Sequence, residues 1–189
     1  ILFGDGHGSF LSSKTLWTGY DSQPAMVAAG DVNNDNHTDL VVVNTGLNCF
    51  GVFLRRDDAT YDDHQLFLTG NGSRPVGITM DHFDEDDYLD VAVANAAAKE
   101  IVIFINSGDG SFTLTRRYSL GASSPQSLVS KDFNLDGKLD LVFSCRGVNN
   151  SGFLLGHGNG SFAGPELYST GSPSSVSLVV ADFDHEQYL

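Results

Sequence analysis

Oxygen-bearing side chains recur in this chain at a fixed spacing. Asp31, Asn33, Asp35 and Asp39 stand at positions 1, 3, 5 and 9 of one nine-residue span, and Asp132, Asn134, Asp136 and Asp140 repeat the pattern. A variant copy reads His82, Asp84, Asp86 and Asp90. A tight loop turns alternate side chains inward, and the main-chain carbonyl at position 7 (His37, Tyr88 or Lys138) completes the set. A hard Ca²⁺ ion takes six to eight oxygens at about 2.3–2.6 Å, so calcium is the expected ligand. Helical calcium loops end on a Glu at position 12. Here that position holds Val42 in the first loop and Phe143 in the third, both inside apolar runs. Strand–loop–strand sites are expected instead.

The copies are unequal. His82 replaces the first carboxylate of the second loop, and an imidazole is a poor Ca²⁺ ligand; either the neighbouring Asp81 stands in or the site is weak. A fourth copy, Asp182-Phe-Asp184-His-Glu186-Gln-Tyr188-Leu189, stops before position 9 and is expected to hold no ion. Of the 24 acidic residues, 15 fall within 31–39, 81–90, 132–140 and 182–189, where Lys138 is the one Lys or Arg. Carboxylates packed that densely raise one another's pKa and destabilise the fold unless a cation offsets them. The competing reading is a set of solvated acidic turns without metal.

What positions these loops is a repeat of about 50 residues. The loops begin at 31, 82, 132 and 182; Phe10, Tyr61, Phe112 and Phe162 keep step, as do Gly19, Gly70, Gly121 and Gly171. Each loop is followed by a β-branched or apolar run such as Leu40-Val41-Val42-Val43 or Leu141-Val142-Phe143, then by a second such as Ile101-Val102-Ile103-Phe104-Ile105. These read as strands. Gly-rich turns (Gly4-Asp5-Gly6-His7-Gly8, Gly108-Asp109-Gly110, Gly156-His157-Gly158-Asn159-Gly160) lead to a third, more polar strand. A fourth precedes the next loop, as in Pro75–Met80, and no stretch sustains helical periodicity. His7 and His157 are expected to share one turn position, three periods apart.

Four strands per period predict an all-β chain, a β-propeller of four-stranded blades stacked on their neighbours. The expected arrangement is one domain over 1–189, in repeat units of about 1–23, 24–74, 75–124, 125–172 and 173–189. That gives roughly four blades, three whole and one split between the two ends. The alternative is an open stack of blades from a larger propeller. The opening Ile1-Leu2-Phe3-Gly4 looks like mid-strand sequence and not a signal peptide, so the chain is expected to be a piece of something longer.

These residues resemble the FG-GAP (VCBS-type) repeats of integrin-α-like β-propellers. The likeness rests on Asp132-Phe-Asn-Leu-Asp-Gly-Lys-Leu-Asp-Leu-Val and on the turn Gly108-Asp-Gly-Ser-Phe112, and it extends over nearly the whole chain. It implies calcium-stabilised propellers, usually of seven blades, that serve as extracellular or cell-surface adhesion and ligand-binding modules.

Composition narrows the function further. Ten basic and 24 acidic residues give a net charge of −14, which disfavours nucleic acid and anionic membranes as partners. No apolar run reaches the roughly 18 residues of a membrane span. The six histidines are scattered, no nucleophile elbow or phosphate loop is present, and no enzyme is expected. Cys49 and Cys145 are expected as free thiols. Asn36, Asn71, Asn149 and Asn159 each begin an Asn-x-Ser/Thr sequence that can carry a glycan in a secreted chain, Asn36 least of all because it sits within a metal loop. Trp17 stands where the other repeats have Leu68, Ser119 and Ser169, so the fold does not require it; it is either a sugar- or protein-contacting ring or a cover for a blade edge. The function expected is therefore non-catalytic recognition of a protein or glycan. The alternatives are a lectin-like propeller and an accessory propeller of a larger secreted hydrolase or lyase.

Overall fold

The computed structural model describes residues 1–84, 86–147, 151–169, 171 and 177–180. A hairpin of β1 (Leu2–Gly4) and β2 (Phe10–Ser13) precedes three four-stranded sheets. The first contains β3 (Pro24–Gly30), β4 (Asp39–Asn44), β5 (Cys49–Phe53) and β6 (Gln65–Leu68). The second contains β7 (Pro75–Asp81), β8 (Asp90–Asn95), β9 (Glu100–Asn106) and β10 (Phe112–Ser119). The third contains β11 (Ser124–Lys131), β12 (Asp140–Arg146), β13 (Ser151–Leu154) and β14 (Glu166–Tyr168). Each is an antiparallel meander in chain order. Among the described residues there is no α-helix; one 3₁₀ turn covers Thr45–Leu47.

The sheets are blade-like, four strands to a period as the repeat predicts, but the described residues do not close them into a ring. A composite blade would draw on 173–189, which apart from 177–180 lies outside the described residues.

Alternation of side chains assigns each face of the middle sheet to a different neighbour. Along β8, Val91 and Val93 join a core with Val41, Val43 and Phe50 of the first sheet. The intervening Ala92 and Ala94 face Leu141, Phe143 and Leu154 of the third sheet. Strand β9 follows suit, because Val93 pairs with Val102 and Ala92 with Ile103. Both faces of β8 are buried, which explains its unbroken apolar sequence between Asp90 and Asn95. The first strand of each sheet bulges just after a proline in its first or second position, at Pro24, Pro75 and Pro125. Proline suits that place because it has no ladder N–H to give.

In the second and third sheets the turn aromatic reaches back into the sheet before it. Phe112 packs edge-on against Phe50 and Phe67 of the first sheet, with ring centroids 5.6 and 5.4 Å away. Phe162 does the same to Phe83 and Tyr118 of the second, and its N–H donates to the Tyr118 hydroxyl at 2.7 Å. A polar link runs alongside. The Asn106 side-chain amide donates to the carbonyls of Val32 (2.7 Å) in the first sheet's loop and Leu89 (3.0 Å) in its own.

The Gly-rich turns need left-handed backbone at two places, and Gly108 and Gly110 (φ 87° and 78°) match Gly158 and Gly160 (76° and 73°). Gly6 and Gly8 occupy those places in the first hairpin (75° and 94°). His7 therefore lines up with Asn159, and His157 with Asp5, whose N–H groups each donate to the serine four residues on. The expectation that His7 and His157 share a turn position is thereby corrected: counting whole periods misses the two-residue drift that the turn glycines reveal. In the first sheet Ala59 carries the strain that a glycine would relieve, at φ 61°.

Two stability outcomes follow. Ala59→Gly should stabilise the protein by about 1 kcal/mol, because a side chain in left-handed backbone costs about that much. Asn106→Ala should cost about 2–3 kcal/mol by leaving two carbonyls unpaired at an inter-sheet seam. Urea denaturation of both variants beside the parent measures each.

Candidate metal centres

Each acidic loop joins the first two strands of a sheet, so the same turn carries it in all three. Its ninth residue opens the second strand and is fully buried: Asp39, Asp90 and Asp140 each have 0% exposure. A buried carboxylate must find donors. The Val32 N–H donates to one oxygen of Asp39 at 3.0 Å and the Arg55 N–H to the other at 2.7 Å. Phe83 and Asn106 serve Asp90 in the same way (3.0 and 2.9 Å), and Phe133 and Gly156 serve Asp140 (3.0 and 2.8 Å). The ninth residue, expected as a metal ligand, is therefore also a clamp between its loop and the end of the third strand. Sequence spacing gave no sign of this second task, since its partner lies 16 residues downstream.

The remaining oxygens of loops one and three converge on one stretch of backbone. The Asp35 N–H lies 3.1 Å from an Asp31 oxygen and 3.3 Å from the Asn33 amide oxygen. Asn36 N–H donates to Asp31 (2.7 Å) and His37 N–H to Asp35 (2.8 Å). Loop three repeats every contact: Asp136 N–H to Asp132 (3.2 Å) and Asn134 (3.0 Å), Gly137 N–H to Asp132 (2.8 Å), and Lys138 N–H to Asp136 (2.9 Å). Positions 4 and 6 turn left-handed to allow it, at Asn34 and Asn36 (56° and 65°) and at Leu135 and Gly137 (60° and 83°).

Loop two keeps only part of this arrangement. Asp86 N–H donates to Asp84 (3.1 Å) and Tyr88 N–H to Asp86 (2.9 Å). Asp81, the neighbouring carboxylate, has two hydrogen-bond partners of its own. One of its oxygens accepts the His82 N–H (3.0 Å) and the other the Ser130 hydroxyl of the third sheet (2.9 Å). The fourth copy, 182–189, lies outside the described residues.

Side chains at position 7 pack on the turn that follows the third strand. The Tyr88 ring lies so close over Gly108 that a Cβ there would come within 2.5 Å of it, and the Lys138 stem lies over Gly158. His37 takes the equivalent place, its ring nitrogens 3.1 Å from Asp35 and 3.4 Å from Asp57. Among the described residues no three Asp, Glu, His or Cys side chains gather as a metal-holding group. In loops one and three an asparagine amide oxygen converges with the carboxylates.

Crowding shows in the titration of these groups. Burial raises the pKa of Asp90 to about 6, and the charges of Asp84 and Asp86 push it the same way. Burial also raises Asp84, with Asp86 beside it, and raises Asp39, with Asp35 and Asp31 adding to it. A folded-state pKa above the unfolded value favours the folded protein at low pH, and that stability is lost as pH rises through the folded pKa. For Asp90 the window runs from 3.8 to about 6. Chelated protein should accordingly lose stability as pH rises across this window, measured as the thermal midpoint in EDTA at successive pH values; a midpoint that climbs steadily there would contradict the burial of these carboxylates.

The FG-GAP-like repeat family matches residues 82–143 and again residues 132–189, more than half of the sequence. No curated protein matches the chain. Among solved structures, a crystal structure of BBS1N in complex with ARL6DN, soaked with lead, is similar over 77% of this chain, at 15% identity and a TM-score of 0.49. The chain spans 43% of that solved chain. No helix among the described residues is long and apolar enough to cross a membrane. With the matched spans beginning at the second and third acidic loops, and the same loop and turn recurring in every sheet, the chain belongs to the FG-GAP-like repeat family.

Proposed function

We propose that this chain is a non-catalytic, calcium-stabilised β-propeller module, or a fragment of one, that presents its loops for recognition or adhesion outside the cell. In this reading residues 1–189 form one domain, the three described sheets are whole blades, and the Leu2–Ser13 hairpin is the outer half of another. The observation that carries it is the convergence of Asp31, Asn33 and Asp35, repeated by Asp132, Asn134 and Asp136, beside a buried ninth-position carboxylate. Both oxygens of Asp39 and Asp140 accept one N–H each and keep a further lone pair, so clamping and metal binding are compatible. The carbonyls of His37 and Lys138 complete the sets, because their side chains are turned outward onto the neighbouring turn. The acceptor-rich chemistry fits a hard divalent cation, and neither loop offers a thiol or an inward imidazole. In loop two Asp84, Asp86, Asp90 and the Tyr88 carbonyl form a smaller set and bind more weakly.

Calcium at a hundredfold excess over its dissociation constant stabilises a native state by about 2.7 kcal/mol per site. Thermal unfolding in millimolar Ca²⁺ should therefore show a higher midpoint than in EDTA. Asp132→Ala with Asp136→Ala should remove most of the shift, and Asp84→Ala less. Asp140→Asn should lower the midpoint even in EDTA, through a loss of about 2–3 kcal/mol of stability, because it disables the clamp as well. Equal midpoints with and without calcium would overturn the proposal.

A further inference from the structure

Trp17 is 64% exposed and Tyr20 85%, an unusual state for rings that gain so much by burial. They meet edge to face with centroids 5.3 Å apart. Trp17 stands on the connection between β2 and β3. Beside it opens a cleft of about 390 Å³ between that connection and the excursion joining β5 to β6. This volume falls in the range of about 300–1,000 Å³ common to small-molecule sites. Phe53 lies in its lining, tilted against the His64 ring at 4.9 Å. Thr15, Leu16, Tyr61, Asp62 and Asp63 line the rest.

We propose that this cleft binds a neutral carbohydrate, with the Trp17 indole as the stacking face and Asp63 and His64 as partners for hydroxyl groups. Aromatic rings and acidic groups together can also hold a cation, but two of the lining side chains, Tyr61 and Asp62, already have one beside them. The Lys14 ammonium sits 5.7 Å from the centroid of the Tyr61 ring, and Arg56 pairs with Asp62. What stays open is an aromatic plane next to hydrogen-bonding side chains. That combination suits a ligand with an apolar C–H face and a polar edge, which is the chemistry of a pyranose ring. The sequence supports a special role, since the matching positions in the other repeats are Leu68, Ser119 and Ser169. No metal loop contributes to the cleft lining, so the inference stands apart from the calcium proposal.

Trp17 is the chain's one tryptophan, so its fluorescence reports on this cleft alone. The full chain should be titrated with glucose, galactose, mannose, N-acetylglucosamine and their di- and trisaccharides, in calcium and in EDTA. A saturable emission change with at least one sugar is expected, roughly tenfold weaker in Asp63→Ala. On a glycan array, binding should be lost in Trp17→Ala and partly kept in Trp17→Phe. Thermal midpoints of all three variants should stay at the parent value, because these side chains are exposed. No saturable change with any of these sugars, array binding undiminished in Trp17→Ala, or an emission change with an arginine-rich peptide alone would each overturn the proposal.

Discussion

A carboxylate without water is the constraint on which this fold rests. Asp39, Asp90 and Asp140 are fully buried, and an ionised group in that position is tolerated only if donors replace its lost hydration. Two main-chain amides do so in every copy, one from the loop and one from the end of the third strand. Hydrogen bonds to a charged acceptor are stronger than neutral ones, and a buried pair of them fixes two separate segments at once. The shape of the loop, the start of the second strand and the departure of the third are thus decided together. Oxygens gathered around Asp35 and Asp136 are arranged by loops already fixed at their far ends.

The three copies show how far this arrangement bends. Loops one and three hold their first carboxylate over the N–H groups of positions 5 and 6, which spreads negative charge over donors. Loop two has His82 at that place, and its nearest substitute, Asp81, is bonded to Ser130 across the seam between the second and third sheets. Asp84, Asp86 and Asp90 then sit close together without that neutralisation. Burial is the main cause of the upward shifts of Asp84 and Asp90, and this crowding of charge adds to both. The carboxylate beside the altered position is part of a sheet-to-sheet contact.

Much of this could be read from the sequence because the signals are local. Period-two alternation in Val91-Ala-Val93-Ala, acidic spacing and turn glycines specify strands, loops and hairpins within a few residues of each other. What stayed hidden depends on neighbours far along the chain. The Asn106 amide reaches Val32, 74 residues away, and nothing in its immediate sequence marks it as a link between sheets. The outward turn of Tyr88 onto Gly108 and the reach of Phe162 to Tyr118 belong to the same class. Alignment by whole periods also failed for His7 and His157, since the backbone and not the residue count defines equivalence in a turn.

The two faces of β8 carry different side-chain sizes, valine toward the first sheet and alanine toward the third. Bulky Phe143 and Leu141 fit against the alanine side, while the aromatic cluster around Phe50 fits against the valine side. Each seam thus has its own key and lock, although the units share one plan. A copied unit spliced elsewhere in the array would bring one correct edge and one foreign edge, with either a void or a collision at the latter. Duplication alone cannot lengthen such an array; the new boundary has to be refitted before it holds.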